Sequence, residues 1–296
     1  MKNVVLRSPS ADEECKLKEL WSAIFSDIGM EDFFENLYNK SLCSAMFEDD
    51  KLCAMAFLIR AGELSYGEKL FNAAMIYSVA TSPEHRGKGY AKAVVDELVD
   101  KAFSTGYSVA LLSPSDDGLF EFYNKKNEFI DYFYVNEQSY NKEELSALPC
   151  KDAATESLER VSAENYVTLR ESLLGKSTHI KQDVRIFRYQ QSICDEVGGG
   201  LYRVRDSCAV IEIQDDSSVF IKELLSPSDN VSEILSIITN KYPSHKYVVR
   251  TPVCSEISDK LYHINIKRFG MIKADKGVFL HGNLHEFEPW YGLALD

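Results

Sequence analysis

The sequence predicts an α/β (α+β) protein made of two tandem copies of one layered fold, each a mixed, mostly antiparallel sheet flanked by helices. Three observations point there. Hydrophobic periodicity switches repeatedly between helical and strand patterns along 296 residues. The same order of elements, two helices, three strands, a helix and a strand, occurs twice. A polar, loosely patterned stretch at 141–156, with Pro149, separates the two runs. Domains usually span about 100–200 residues, so a chain of this length favours two. Those expected are residues 1–141 and 156–296.

The first run opens with a short strand, Val4-Val5-Leu6, and a capping-box sequence, Ser10-Ala11-Asp12-Glu13. Leu17, Leu20, Trp21 and Ile24 then recur at helical spacing. A second helical stretch, Glu31 to Lys40, follows Gly29. Apolar runs at 44–47, 52–60 and 73–81, separated by Glu48-Asp49-Asp50 and Ser65-Tyr66-Gly67, predict three antiparallel strands. From Ala91 the period becomes helical again, through Val94, Val95, Leu98 and Ala102. A strand at 107–112, a short helix at 118–126 and a strand at 129–135 end the first half.

The second run predicts helices at 163–174 and 180–197, a glycine turn at Gly198-Gly199-Gly200, and strands at 201–205, 208–214 and 219–225. A helix at 231–241 and a strand at 247–250 complete it. Residue identity between the halves is too low to show the repeat, which rests on order and length.

Charge excludes one class of partner. With 33 Lys+Arg against 46 Asp+Glu the net charge is -13, and nucleic acid or an anionic membrane would be repelled without strong charge segregation. No stretch approaches the roughly 18 apolar residues of a membrane span, and the opening MKNVVLRSPSADEE turns polar too early for a signal peptide. A cytoplasmic protein is expected. The seven cysteines form no C-x-x-C pair and read as small buried hydrophobes. His281 and His285 stand four apart on a poorly helical interval, with no third ligand type nearby, so no metal is expected.

The segment from Met75 to Ala91 carries the chemistry. A strand ends, a Gly-rich loop follows and a helix begins, an arrangement that offers free backbone N–H groups and a helix dipole to a phosphate. Gly87 and Gly89 let the main chain approach an anion, and Arg86 and Lys88 add positive charge. Neither the P-loop string nor the dinucleotide fingerprint G-x-G-x-x-G fits, since the third glycine position is Lys92. Arg86-Gly87-Lys88-Gly89-Tyr90-Ala91 does fit R-x-x-G-x-[G/A], and here the chain resembles the GCN5-related N-acetyltransferase (GNAT) superfamily. Phe122-Tyr123-Asn124-Lys125-Lys126-Asn127-Glu128-Phe129 is similar to that family's F-Y-x-x-x-G-F ending, with Asn127 in the glycine place, where it would take up a left-handed cap. The resemblance covers about residues 1–140.

It implies acetyl-CoA as co-substrate and an amine as acceptor. Gly87 to Ala91, including Lys88, Gly89 and Tyr90, with Arg86, would hold the pyrophosphate; the strand end Val79-Ala80-Thr81 would pair with the pantetheine arm and polarise the thioester carbonyl. Tyr123 matches the tyrosine that donates to the CoA sulfur, the alternative being a buried core phenol. Ser113 sits where the family often binds CoA or acceptor, or else caps a helix. In the second half, Leu225-Ser226-Pro227-Ser228-Asp229-Asn230-Val231 has neither arginine nor a glycine pair, so this half resembles a degenerate copy. One active and one degenerate domain resemble the enhanced-intracellular-survival acetyltransferases, without their sterol-carrier-like domain.

In that group the C-terminal carboxylate reaches the active site, which implies such a role for Asp296. The apolar tail around Trp290, Tyr291 and Leu293 should be docked, whether there or as a last strand of the second domain. The carboxylates Glu31, Asp32 and Glu35 border the acceptor cleft or form a solvated face. An acidic chain would concentrate a polycationic acceptor such as an aminoglycoside, a polyamine or a lysine-bearing peptide. The rival readings are a non-catalytic acyl-CoA-binding or scaffolding protein, and a tRNA-dependent aminoacyl transferase, for which no basic surface is visible. The sequence leaves oligomeric state open.

Overall fold

Where the sequence alternates apolar and polar residues the chain is extended, and where its period is 3.6 the chain is helical, throughout most of the computed structural model. It describes residues 3–146, 158–175, 177–215, 217–226, 231–253, 265–278, 280 and 289–295. In chain order the elements are β1 (Val4–Arg7), α1 (Glu14–Ile24), α2 (Met30–Asn36), β2 (Cys43–Glu48), β3 (Lys51–Tyr66), β4 (Lys69–Thr81), α3 (Tyr90–Ser104), β5 (Val109–Leu112), α4 (Asp117–Asn127), β6 (Ile130–Asn141) and α5 (Lys142–Ser146). They continue as β7 (Glu159–Arg160), α6 (Ala163–Leu174), β8 (His179–Gln182), α7 (Val184–Val197), β9 (Gly200–Val204), β10 (Ser207–Asp215), β11 (Ser218–Leu225), α8 (Val231–Lys241), β12 (Lys246–Thr251) and β13 (Ile266–Ala274).

Two compact units result. The first comprises Met1–Leu64, Lys69–Tyr132 and Gly270–Gly282; the second comprises Ser65–Glu68, Phe133–Phe269 and Asn283–Asp296.

In the first unit the strands follow the order β1-β2-β3-β4-β5, antiparallel from β1 to β3 and parallel between β4 and β5. Helix α3 makes the crossover that a parallel pair requires. Its Val94, Val95, Leu98 and Ala102 pack on Ala54, Ala56 and Leu58 of β3 and Ala74 and Ile76 of β4. The other face takes α1 and α2: Trp21 and Phe33 stack with Phe57 and Tyr77 at centroid distances of 5.0–6.1 Å. With both faces covered, β3 reads as a nearly unbroken apolar run. The expected capping box lies on a 3-10 turn before α1, where the Glu13 carboxylate accepts from the Ser10 N–H at 2.9 Å and from Arg7 at 2.7 Å.

The second unit repeats the pattern. Strands β9, β10 and β11 are antiparallel, and α8 carries the chain to β12, which lies parallel to β11. Ile234, Leu235 and Ile238 of α8 are buried on Ile211, Ile221 and Leu224.

Within each unit one strand comes from the opposite half of the sequence. Met271–Ala274 of β13 pair antiparallel with β5 in the first unit, and Asn136–Asn141 of β6 pair antiparallel with β12 in the second. The compact units therefore do not follow a single cut such as that between 1–141 and 156–296. The edge of a four-residue strand such as β5 needs a partner, and the strand that supplies it comes from residues far away in sequence.

Three further expectations are corrected. The predicted helix at 180–197 is β8 followed by α7, because Asp183 caps the helix by accepting from the Arg185 N–H at 3.0 Å. Strand β6 runs on to Asn141 where its tail pairs with β12. The left-handed residue ending α4 is Glu128, with φ 61°, and not Asn127. Asn127 is buried and helical, donating through Nδ2 to the Lys92 carbonyl at 3.1 Å and to Asp96 Oδ1 at 2.8 Å. Strand β13 is not among the elements that the sequence predicts. Among the described residues no helix is long and apolar enough to cross a membrane.

Candidate functional site

The first unit brings β4, the loop after it, α3 and α4 to one end of its sheet. Pairing of β4 with β5 covers Ala73–Met75 against Val109–Leu111, and β4 then runs six residues further to Thr81. Along this stretch Ser78 adopts φ 49°, an irregularity in the strand. Val79, Ala80 and Thr81 thus extend past the paired region, and Thr81 Oγ1 is buried with no hydrogen-bond partner among the described residues.

After Thr81 the chain makes a 3-10 turn at Pro83–His85, and Gly87 and Gly89 then take left-handed φ values of 79° and 83°. A Cβ at either glycine would meet no protein atom within 4 Å, so backbone conformation, not crowding by the protein, demands glycine there. The Arg86 N–H is used within the turn, to the Pro83 carbonyl at 3.3 Å, and the first bond of α3 runs from the Ala93 N–H to the Gly89 carbonyl at 3.1 Å. Main-chain N–H groups from Gly87 to Lys92, including those of Lys88, Tyr90 and Ala91, have no main-chain acceptor among the described residues. They stand at the positive end of a 15-residue helix. An orphan hydroxyl, an uncrowded glycine turn and a row of free donors fit a diphosphate with an extended amide-bearing arm.

The two loop cations differ. Arg86 is exposed, its Nε 3.4 Å from the Thr81 carbonyl. Lys88 Nζ lies 3.1 Å from Glu48 Oε2, which offsets its charge. Glu48, in a stretch whose sequence suggests a turn, instead ends β2, is 8% exposed, accepts from the Tyr90 hydroxyl at 3.4 Å and contacts His85 Nε2 at 2.9 Å. A lone acidic residue after an apolar run carries no sequence signal of such a role. Cys53, His85 and Glu48 place three ligand-type atoms within 4.8 Å of one another. Lys88 already occupies the carboxylate, and an ammonium beside it opposes a cation.

Tyr123 lies on α4, buried in the same cluster as Ile76 and Val94, with Val79 packed against that cluster. Its ring meets Phe122 edge-on at 5.2 Å, and burial pushes its phenol well above the ordinary tyrosine value. The hydroxyl makes no hydrogen bond to any described residue. Ser113 is half-buried just after β5. On α2, Glu31 pairs with Lys18 at 2.6 Å and Asp32 accepts from Asn36 Nδ2 at 2.9 Å, while Glu35 is exposed.

Asp296, His281 and His285 lie outside the described residues, as do residues 227–230, which would correspond to the loop in the second unit. Residues 289–295 are described, and the tail is docked. The Trp290 main chain bridges residues 178 and 180 beside β8, with Ile180 N–H to Trp290 carbonyl and Trp290 N–H to Thr178 carbonyl both at 2.9 Å. Of the cysteines, Cys43, Cys53, Cys194 and Cys208 are buried and Cys15 is exposed.

Residues 6–130 match a family described as an acetyltransferase (GNAT) domain. No curated protein matches the sequence. Among solved structures, the chain is similar to a GCN5-related N-acetyltransferase from Anabaena variabilis (14% identity, TM-score 0.70, 92% of this chain and 73% of that one). A GCN5-related N-acetyltransferase from Kribbella flavida has 13% identity and TM-score 0.69, over 92% and 71% of the two chains. Eis1 from Mycobacterium abscessus has 12% identity and TM-score 0.65, over 92% and 73%. These likenesses of fold reach well beyond residues 6–130. Residues 6–130 therefore match an acetyltransferase (GNAT) domain, and the fold of the chain is similar to that of GCN5-related N-acetyltransferases.

Proposed function

We propose that the first unit transfers an acetyl group from acetyl-CoA to a primary amine of a small molecule or peptide, by direct attack in a ternary complex. The observation that carries the reading is the loop: β4 runs past its pairing with β5 into a turn whose N–H groups from Gly87 to Lys92 have no main-chain acceptor among the described residues. Those amides and Arg86 hold the diphosphate. The main chain of Val79–Thr81 pairs with the pantetheine arm and directs an N–H at the thioester oxygen.

Acetyl-CoA supplies an activated acyl group. The amine lone pair attacks the thioester carbon, the C–S bond breaks, the amine loses a proton to a base, and the sulfur leaves as a thiolate that is finally protonated. Tyr123 stays protonated because its acidity is suppressed by burial, so its phenol hydrogen-bonds to the departing sulfur. An amine acceptor of polycationic class is supported by the net charge of -13. A cytoplasmic setting is supported by free thiols at Cys15, Cys43, Cys53, Cys194 and Cys208.

The test is calorimetry of the full chain with coenzyme A, followed by thiol release from acetyl-CoA across a panel of amines. Binding without turnover on any amine would favour an acyl-CoA-binding protein, and absence of binding would end the reading.

A further inference from the structure

We infer that Glu48 is a positioning residue for the diphosphate loop, acting through His85, Lys88 and Tyr90 to hold the turn in its ligand-binding form. This rests on the function proposed above and goes beyond it by naming what sets the loop's shape.

The geometry is specific. Four side chains of the loop, at positions 82, 85, 88 and 90, are tied into one network. Ser82 Oγ lies 2.7 Å from His85 Nδ1, and His85 Nε2 lies 2.9 Å from Glu48 Oε2. Lys88 Nζ approaches both Glu48 oxygens, at 3.1 and 3.3 Å, and the Tyr90 hydroxyl reaches Oε1 at 3.4 Å. The Ser82 N–H donates to the Cys53 carbonyl of β3 at 2.9 Å, which pins the start of the turn to the sheet. Ser82, His85 and Glu48 are each less than 9% exposed.

An ionised carboxylate only accepts hydrogen bonds, so His85 Nε2 must carry a proton toward Glu48. In the neutral ring Nδ1 is then the acceptor, and the Ser82 hydroxyl donates to it. With the neutral ring the bonds run from Ser82 to His85 to Glu48. Every donor ends on one carboxylate that sits on the rigid end of β2. A turn with two left-handed glycines has many accessible shapes, and ordering it on binding would cost affinity; fixing it beforehand removes that cost.

Glu48→Gln separates positioning from simple electrostatics, because the two predict opposite signs. Removing a negative charge near a bound diphosphate would by itself tighten binding. The amide instead puts an N–H₂ donor where a carboxylate oxygen now faces other donors, and the network breaks.

The experiment is calorimetry of the full chain with coenzyme A, with steady-state turnover of acetyl-CoA and of S-acetylpantetheine, which lacks the diphosphate. For Glu48→Gln we expect Kd for coenzyme A and KM for acetyl-CoA to rise about tenfold, with little change in kcat at saturation or in turnover of S-acetylpantetheine. Ser82→Ala, which alters no charge, should raise Kd a few-fold. Coenzyme A bound by Glu48→Gln as tightly as by the wild type, or more tightly, would overturn the inference, and so would equal losses with both donors. If Glu48→Gln fails to fold, an unchanged Kd in Ser82→Ala overturns it. A wild-type chain that does not bind coenzyme A removes the proposed function and this inference with it; one that binds while Glu48→Gln is unaffected removes the inference alone.

Discussion

The indole Nε1–H of Trp290 donates to Glu223 Oε2 at 2.7 Å, and by this bond a residue six positions from Asp296 helps to neutralise a fully buried carboxylate. Glu223 also receives Arg170 Nε at 3.1 Å and the Tyr166 hydroxyl at 3.0 Å. Arg170 and Glu223 have no exposed side-chain surface, so each bond matters more than it would in water. Gln182 continues the clamp, accepting from the Leu293 N–H at 3.0 Å. In Trp290→Phe the ring volume is partly kept and the donor lost, and we expect destabilisation of about 1–3 kcal/mol, read by urea unfolding. A loss below a few tenths would show that the tail contributes packing alone.

Gly292 offers a sharper probe of the same clamp. Its φ is 82°, and a Cβ there would collide with the Arg170 guanidinium and lie 2.6 Å from Gln182 Oε1. Arg170 and Gln182 are buried and held by other bonds, so neither can give way. Gly292→Ala should cost more than the roughly 1–2 kcal/mol of a left-handed alanine, visible as a lower melting temperature. Equal stability would mean that residues 289–295 are not seated as described.

Among the described residues Arg86 is the loop cation without a carboxylate at its side. Arg86→Ala should weaken coenzyme A binding by about 10–100-fold, the range for losing a charge-assisted hydrogen bond. The deficit should shrink as salt rises, because this side chain is exposed. Calorimetry at two ionic strengths checks both points.

Gly89 has room for a side chain but a backbone that disfavours one. Gly89→Ala should lose about 1 kcal/mol of stability and much of the affinity for coenzyme A, whereas Gly89→Asn, whose side chain tolerates the left-handed region, should retain more of both. A reversed order of the two variants would count against the assigned turn.

Tyr123→Phe should lower kcat while leaving Kd for coenzyme A unchanged. Because burial raises the phenol's pKa, the protonated form persists to higher pH than in free tyrosine. The alkaline limb of the kcat profile should therefore have the same midpoint in wild type and variant. A midpoint that moves with the substitution would show that Tyr123 itself titrates there.

Local chemistry was enough for much of this protein. The strand-loop-helix at Met75–Ala91 was legible because free N–H groups at a helix start and glycines with left-handed φ are consequences of sequence over a few residues. Helices α6 and α8 were read to their last residue, since each carries an unbroken 3.6-residue stripe. Their repeat of order also pointed to two copies of one fold. Other features depend on which distant residue arrives as a neighbour. Strands β13 and β6 pair with β5 and β12, strands from the other half of the chain, a choice set by the edges that β5 and β12 offer. Glu48 belongs to the loop only because β2 ends beside it, and Asn127 is helical because α3 offers it two acceptors. Periodicity reports which face of an element is apolar; it does not report what that face or edge will meet, and that was decided when the strands paired.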